Sequence, residues 1–119
     1  MQQIILIEAK IGDPKRKPGD IYKTGKAAGL PRFEIAIGCK QTRILPCTQK
    51  VNVILALCGY EYCATLHFNR DGTSYIAAPL KSRNGLECKL AYALKLVGFT
   101  EEAPVYLLVK GKKIWVLKA

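Results

Sequence analysis

The pattern of apolar and polar residues is sharpest between Lys50 and Ala78, KVNVILALCGYEYCATLHFNRDGTSYIAA. Two long apolar-rich runs and a shorter third are separated by Cys58-Gly59 and by Arg70-Asp71-Gly72. Asp-Gly between β-favouring runs is a strong hairpin signal, because both central residues of a type I′ turn need positive φ. The stretch therefore predicts three antiparallel strands in a meander. In the middle run Tyr60, Tyr62, Ala64, Leu66 and Phe68 share one face, and Glu61, Cys63, Thr65, His67 and Asn69 share the other, because strand side chains alternate with period two. In the first run Val51, Val53, Leu55 and Leu57 share a face, and Asn52 is the polar residue on the other. That predicts a central strand, or one covered on both sides.

The rest of the chain supplies shorter runs. Gln2 to Ile7 reads as a first strand, and Phe33, Ile35 and Ile37 alternate with Glu34 and Ala36 in another. Gly38 to Gln49 reads as a connector. Pro79 is expected to stop the third meander strand, since it has no N–H for the ladder. A single helix is predicted at about 85–97, where Leu86, Leu90, Ala93, Leu94 and Val97 form one apolar stripe. Asn84 and Glu87 have capping-box spacing, and Gly98 followed by Phe99 suits a left-handed terminator with its apolar contact. Val105 to Val109 and Ile114 to Leu117 flank Lys110 to Lys113 as a closing hairpin. About seven strands in so short a chain predict a mainly β domain with one helix, closed or partly open as a barrel or pseudobarrel. One domain over 1–119 is expected, large enough to bury a core unaided.

Between Lys10 and Arg32 the character changes. This stretch carries seven basic residues, two acidic ones and seven Gly or Pro, a density that forbids a regular helix or central strand. It reads as a basic loop or arm, of a length that in a compact domain is usually functional or disordered, and either suits an electrostatic contact. The whole chain holds 19 Lys and Arg against 9 Asp and Glu, a net charge of +10. Such an excess favours polyanions, although it also serves solubility. The residues expected to contact phosphates are Lys10, Lys15, Arg16, Lys17, Lys23, Lys26 and Arg32, with Lys40 and Arg43 assisting from the connector. Tyr22 is placed to stack on an unpaired base. No amphipathic basic helix points to a membrane, and no apolar run approaches the roughly 18 residues of a span.

Catalytic signals are sparse. His67 is the sole histidine and shares a strand face with Cys63, so a thiolate–imidazole pair is the one nucleophilic option. A half-exposed sheet histidine is the plainer reading. The five cysteines, Cys39, Cys47, Cys58, Cys63 and Cys88, show no C-x-x-C and read as reduced thiols of a cytoplasmic protein, with no metal or other cofactor expected. Glu8-Ala9-Lys10 has the E-x-K spacing of some metal-dependent nucleases, but with only seven residues before Glu8 a later segment would have to supply the second acid, and the spacing reads as a coincidence.

From Lys50 onward the order of features resembles that of small bacterial β-barrels. Gly72 to Leu117 is similar, in its order of strand, proline, short helix, acidic turn and closing hairpin, to the AbrB-type transcription-factor family. The acidic turn here reads Glu101-Glu102-Ala103-Pro104 in place of that family's Gly-Asp. Gly59-Tyr60, Asp71-Gly72, Tyr75 and Pro79, followed by a helix and final strands, are similar to barrels of unknown function found with YdeI-like domains. The first resemblance implies an interlocked dimer that binds DNA; neither brings a catalytic motif. The expectation is a non-enzymatic barrel that binds nucleic acid, DNA more than RNA, through its basic arm. The alternatives are an assembly module, for instance a homodimer, and a small-molecule-binding barrel.

Overall fold

Ile11, Ile35 and Ile76 lie side by side on three neighbouring strands, all three fully buried, and this seam closes the molecule into a ring. The computed structural model describes residues 3–12, 23–26, 28–29, 33–82, 87–99 and 103–119. Its elements are β1 (Ile4–Gly12), β2 (Glu34–Ile37), α1 (Cys39–Thr42), β3 (Val51–Leu57), β4 (Tyr60–Phe68), β5 (Ser74–Ser82), β6 (Glu87–Cys88), α2 (Leu90–Leu96), β7 (Pro104–Lys110) and β8 (Lys113–Lys118). Around the ring the order is β1-β7-β8-β3-β4-β5-β2, and β2 pairs with both β5 and β1. β6 adds to β5 at Leu80 and Lys81, beyond the stretch paired with β2, as one extra strand. The mainly β, closed-barrel architecture expected from the sequence is therefore observed, with two short helices instead of one. Closure satisfies strand edges that would otherwise be open to another chain.

Period-two alternation fills the interior. Ile7, Leu107, Val116 and Leu57 follow one another in register across β1, β7, β8 and β3, and all are buried. Val53, Leu55, Ala64 and Leu66 complete the lining from the meander. Each large apolar side chain so placed contributes about 1.5–3 kcal/mol relative to exposure. β3 is central, between β4 and a parallel partner, β8. Its outer residues Asn52 and Ile54 are nevertheless exposed while Ala56 is buried, so its outer face is covered only at the C-terminal end.

Several boundaries differ from expectation. β1 runs on to Gly12, with Ile7 and Ile11 inside and Glu8 and Lys10 outside; the outward charges hid a continuing alternation, and Lys10 belongs to this strand. β5 passes through Pro79 because the register with β4 slips there: Cys63 pairs with Lys81 and Thr65 with Ala77. A bulge has no ladder hydrogen bond for proline to lose. The type I′ pattern falls at Cys58-Gly59, with φ values of 47° and 92°. At Asn69 to Thr73 only Gly72 is left-handed, which with the Gly72 N–H to Asn69 O bond makes a type I turn closed by a glycine bulge.

α2 begins at Leu90, later than expected, because Glu87 is taken into β6. The proposed capping box therefore fails. Lys89 is the N-cap and makes no side-chain cap bond, while Asn84 lies outside the described residues. The C-terminus is as expected. Gly98 has φ 82°, the Phe99 N–H bonds Leu94 O at 2.9 Å and the Gly98 N–H bonds Lys95 O at 3.1 Å, a Schellman motif with Phe99 buried beside Leu94.

Candidate nucleic-acid interface

α1 is held against the ring by short polar contacts. The Cys39 thiol donates to Asp71 O (3.3 Å), the Glu8 N–H donates to Gln41 Oε1 (3.0 Å), and the Thr42 and buried Ser74 hydroxyls share a 2.7 Å bond. These contacts hold α1, which carries the exposed Lys40 and is followed by the exposed Arg43, against β1, on which Lys10 is also exposed. Lys23 and Lys26 are exposed too, and the Lys26 ammonium lies 5.8 Å from the centre of the Tyr92 ring on α2. The arm re-enters at Phe33, before β2, whereas α1 follows β2. The strand's four residues put Phe33 and the start of α1 about 13 Å apart along its axis. Lys15, Arg16, Lys17, Tyr22 and Arg32 lie outside the described residues.

The outer face of β4 and β5 carries features that reading the chain element by element did not bring together. His67 and Tyr75 are cross-strand partners, with ring centroids 4.8 Å apart and planes 11° from parallel, an offset-stacked aromatic pair. Two hollows meet at His67 and Ala77. The larger, of about 1360 Å³, reaches Lys10, Glu8, Glu34, Gln41, Arg70 and Asp71. The smaller, of about 480 Å³, crosses β3, β4 and β5 between Lys81 and Lys112. A third feature is an apolar band: Leu6, Leu108 and Trp115 lie in one outward row, flanked by exposed Ile4, Tyr106 and Leu117. The Lys113 ammonium sits 4.7 Å from the Trp115 ring centre and 2.6 Å from Glu61 Oε2.

The thiolate–imidazole pair lacks the required geometry. Cys63 is exposed and lies four positions from His67 along β4, two pleats away, while the imidazole stacks on Tyr75 instead. Partial burial, joined by the Lys50 ammonium, lowers the His67 pKa below its ordinary value. The folded state thus binds fewer protons than the unfolded chain as pH falls through about 6.5. The associated stability is complete above that value and declines as pH drops toward the folded pKa. NMR titration is expected to give a His67 midpoint below the ordinary value, moved part of the way up by Lys50→Ala; a midpoint above it would contradict this environment.

Glu8 and Lys10 of the E-x-K sequence both face the larger hollow with Glu34 and Asp71, yet no three carboxylate, thiol or imidazole groups among the described residues are placed to hold a metal ion. Burial pushes the Cys47 thiol pKa up, while Cys58 and Cys63 are exposed. With a thiol reagent at neutral pH, Cys58 and Cys63 are expected to react well before Cys47; mass spectrometry of partly labelled protein reads the order. Comparison with protein-family models, with curated proteins and with solved structures finds no match for this chain.

Proposed function

We propose that this β-barrel is a non-enzymatic, cytoplasmic nucleic-acid-binding protein, acting on DNA more than RNA, that holds phosphates through the basic segment 10–32 with Lys40 and Arg43. The observation that carries the reading is the charge itself: 19 basic against 9 acidic side chains, seven of the basic ones within 10–32. Five of the expected contacts, Lys10, Lys23, Lys26, Lys40 and Arg43, are exposed, and α1 is anchored beside the strand that bears Lys10. Among the described residues no helix is long and apolar enough to cross a membrane. The test is titration of mixed-sequence DNA and RNA at low and raised salt, with Lys15, Arg16 and Lys17 then changed together to alanine. Binding at low salt that weakens with salt and in the triple variant supports the reading. No binding at low salt, or binding indifferent to the triple variant, overturns it.

A second reading, an assembly module, is favoured by the band of Ile4, Leu6, Leu108, Trp115 and Leu117, because a contiguous exposed apolar face commonly marks an interface. Light scattering that returns the mass of a dimer, lost in Leu6→Lys, would support it.

A further inference from the structure

The smaller hollow differs in charge from the larger. Lys81 and Lys112 stand at its two ends, and among the described side chains no carboxylate lines it, although Glu87 is the ladder partner of Lys81; Glu8, Glu34 and Asp71 line the larger one. Both lysines have fixed bases. Lys81 pairs with Cys63 in the β4–β5 ladder, and the carbonyl of Lys112 accepts the Ile54 N–H at 2.8 Å, tying the β7–β8 turn to β3. Three strand spacings separate them, about 14 Å.

Between them the floor is apolar where Ile54 is 41% exposed and polar at Asn52 and Thr65. The Thr65 hydroxyl donates to Asn52 Oδ1 at 3.3 Å, so the Asn52 amide keeps both N–H groups for an acceptor arriving from solvent. One wall is His67, backed by its stack on Tyr75. A volume of about 480 Å³ falls in the range of small-molecule sites and suits one nucleotide. A paired base keeps its faces inside the duplex, and only an unpaired one can enter.

We infer that this hollow seats one nucleotide of a single-stranded nucleic acid. The flanking phosphates lie against Lys81 and Lys112, the base covers Ile54 beside His67, and Asn52 donates to a base or sugar oxygen. The inference rests on the nucleic-acid reading above and adds where, and in which strandedness, the polymer is held. Cations at both ends provide charge complementarity, and the apolar floor with its aromatic wall provides the stacking surface that a phosphate alone would not require.

The experiment is fluorescence anisotropy with a labelled mixed-sequence single strand of about a dozen nucleotides, within the span of such sites, and with the matching duplex. The protein is wild type, Lys81→Ala with Lys112→Ala, Ile54→Ala, and a control, Lys95→Ala with Lys118→Ala, that removes equal charge from exposed positions elsewhere. All five positions are exposed, and circular dichroism confirms that each variant is folded. Expected are tighter binding of the single strand than of the duplex, a loss of about tenfold or more in the Lys81/Lys112 variant, and a salt exponent smaller by about 1.4, two phosphates at roughly 0.7 each. The control is expected to lose less, and Ile54→Ala to weaken the single strand alone. Equal losses in the two lysine pairs, or no preference for the single strand, would overturn the inference while leaving binding through the arm intact. Wild-type protein that binds neither probe at low salt would remove both.

Discussion

Replacing Ile35 by alanine is expected to cost about 2–5 kcal/mol of folding stability, read by urea denaturation. Its side chain is 0% exposed and sits at the place where the ring closes, opposite Ile11 on one side and Ile76 on the other. Truncation leaves a cavity touching both neighbours, in a strand of only four residues. A domain of this size has about 5–15 kcal/mol in total, so the change removes a large share of it. Ile4→Ala is the matched control: Ile4 is 59% exposed on the same sheet, and its loss is expected to stay within about 0.5 kcal/mol. A cost below about 1 kcal/mol for Ile35→Ala would mean that β2 does not close the barrel.

The second large effect is on binding. If about six phosphates are neutralised, raising salt from roughly 50 to 200 mM is expected to weaken duplex binding by about 10³-fold, because each contact releases condensed counterions. Six is fewer than the basic residues of 10–32 alone, of which there are seven. The slope of log K against log salt therefore reports how many are engaged. A slope near zero would point to apolar contacts and favour the assembly reading.

Much of the fold was legible because the signals were local. The alternation of Tyr60 to Phe68 fixes which side of β4 faces inward, and burial follows it in mid-strand: Ala64 and Leu66 are buried and Cys63 is exposed, whereas Tyr60 at the hairpin end is 58% exposed. Gly98 and Phe99 end α2 as their residue types suggest. The misreadings share a cause, which is that tertiary pairing outweighed local preference. Glu8 and Lys10 broke the apolar run, yet β1 continues because β7 and β2 pair with it. Pro79 stays inside β5 because the ladder slips around it, and Glu87 leaves the expected helix because β5 offers a partner.

The candidate site was less legible for a related reason. Asn52, Cys63, Thr65 and His67 could be placed on the wet faces of their strands from periodicity alone. What brings Lys81 and Lys112 to the two ends of one hollow is the bulged β4–β5 register and the parallel pairing of β3 with β8. Neither leaves a mark in neighbouring residues. The useful signal was the outward positions of all three meander strands read together, where small and polar side chains surround a single histidine.

The most direct measurement is a backbone amide NMR titration of the folded chain with a mixed-sequence single strand at low salt. The account predicts that signals of segment 10–32, of Lys40 and Arg43, and of Asn52, Thr65, His67 and Lys81 shift together and return as salt is added, while Leu6, Leu108 and Trp115 stay in place. An unchanged spectrum, or shifts gathered on the Leu6–Leu108–Trp115 row, would contradict it.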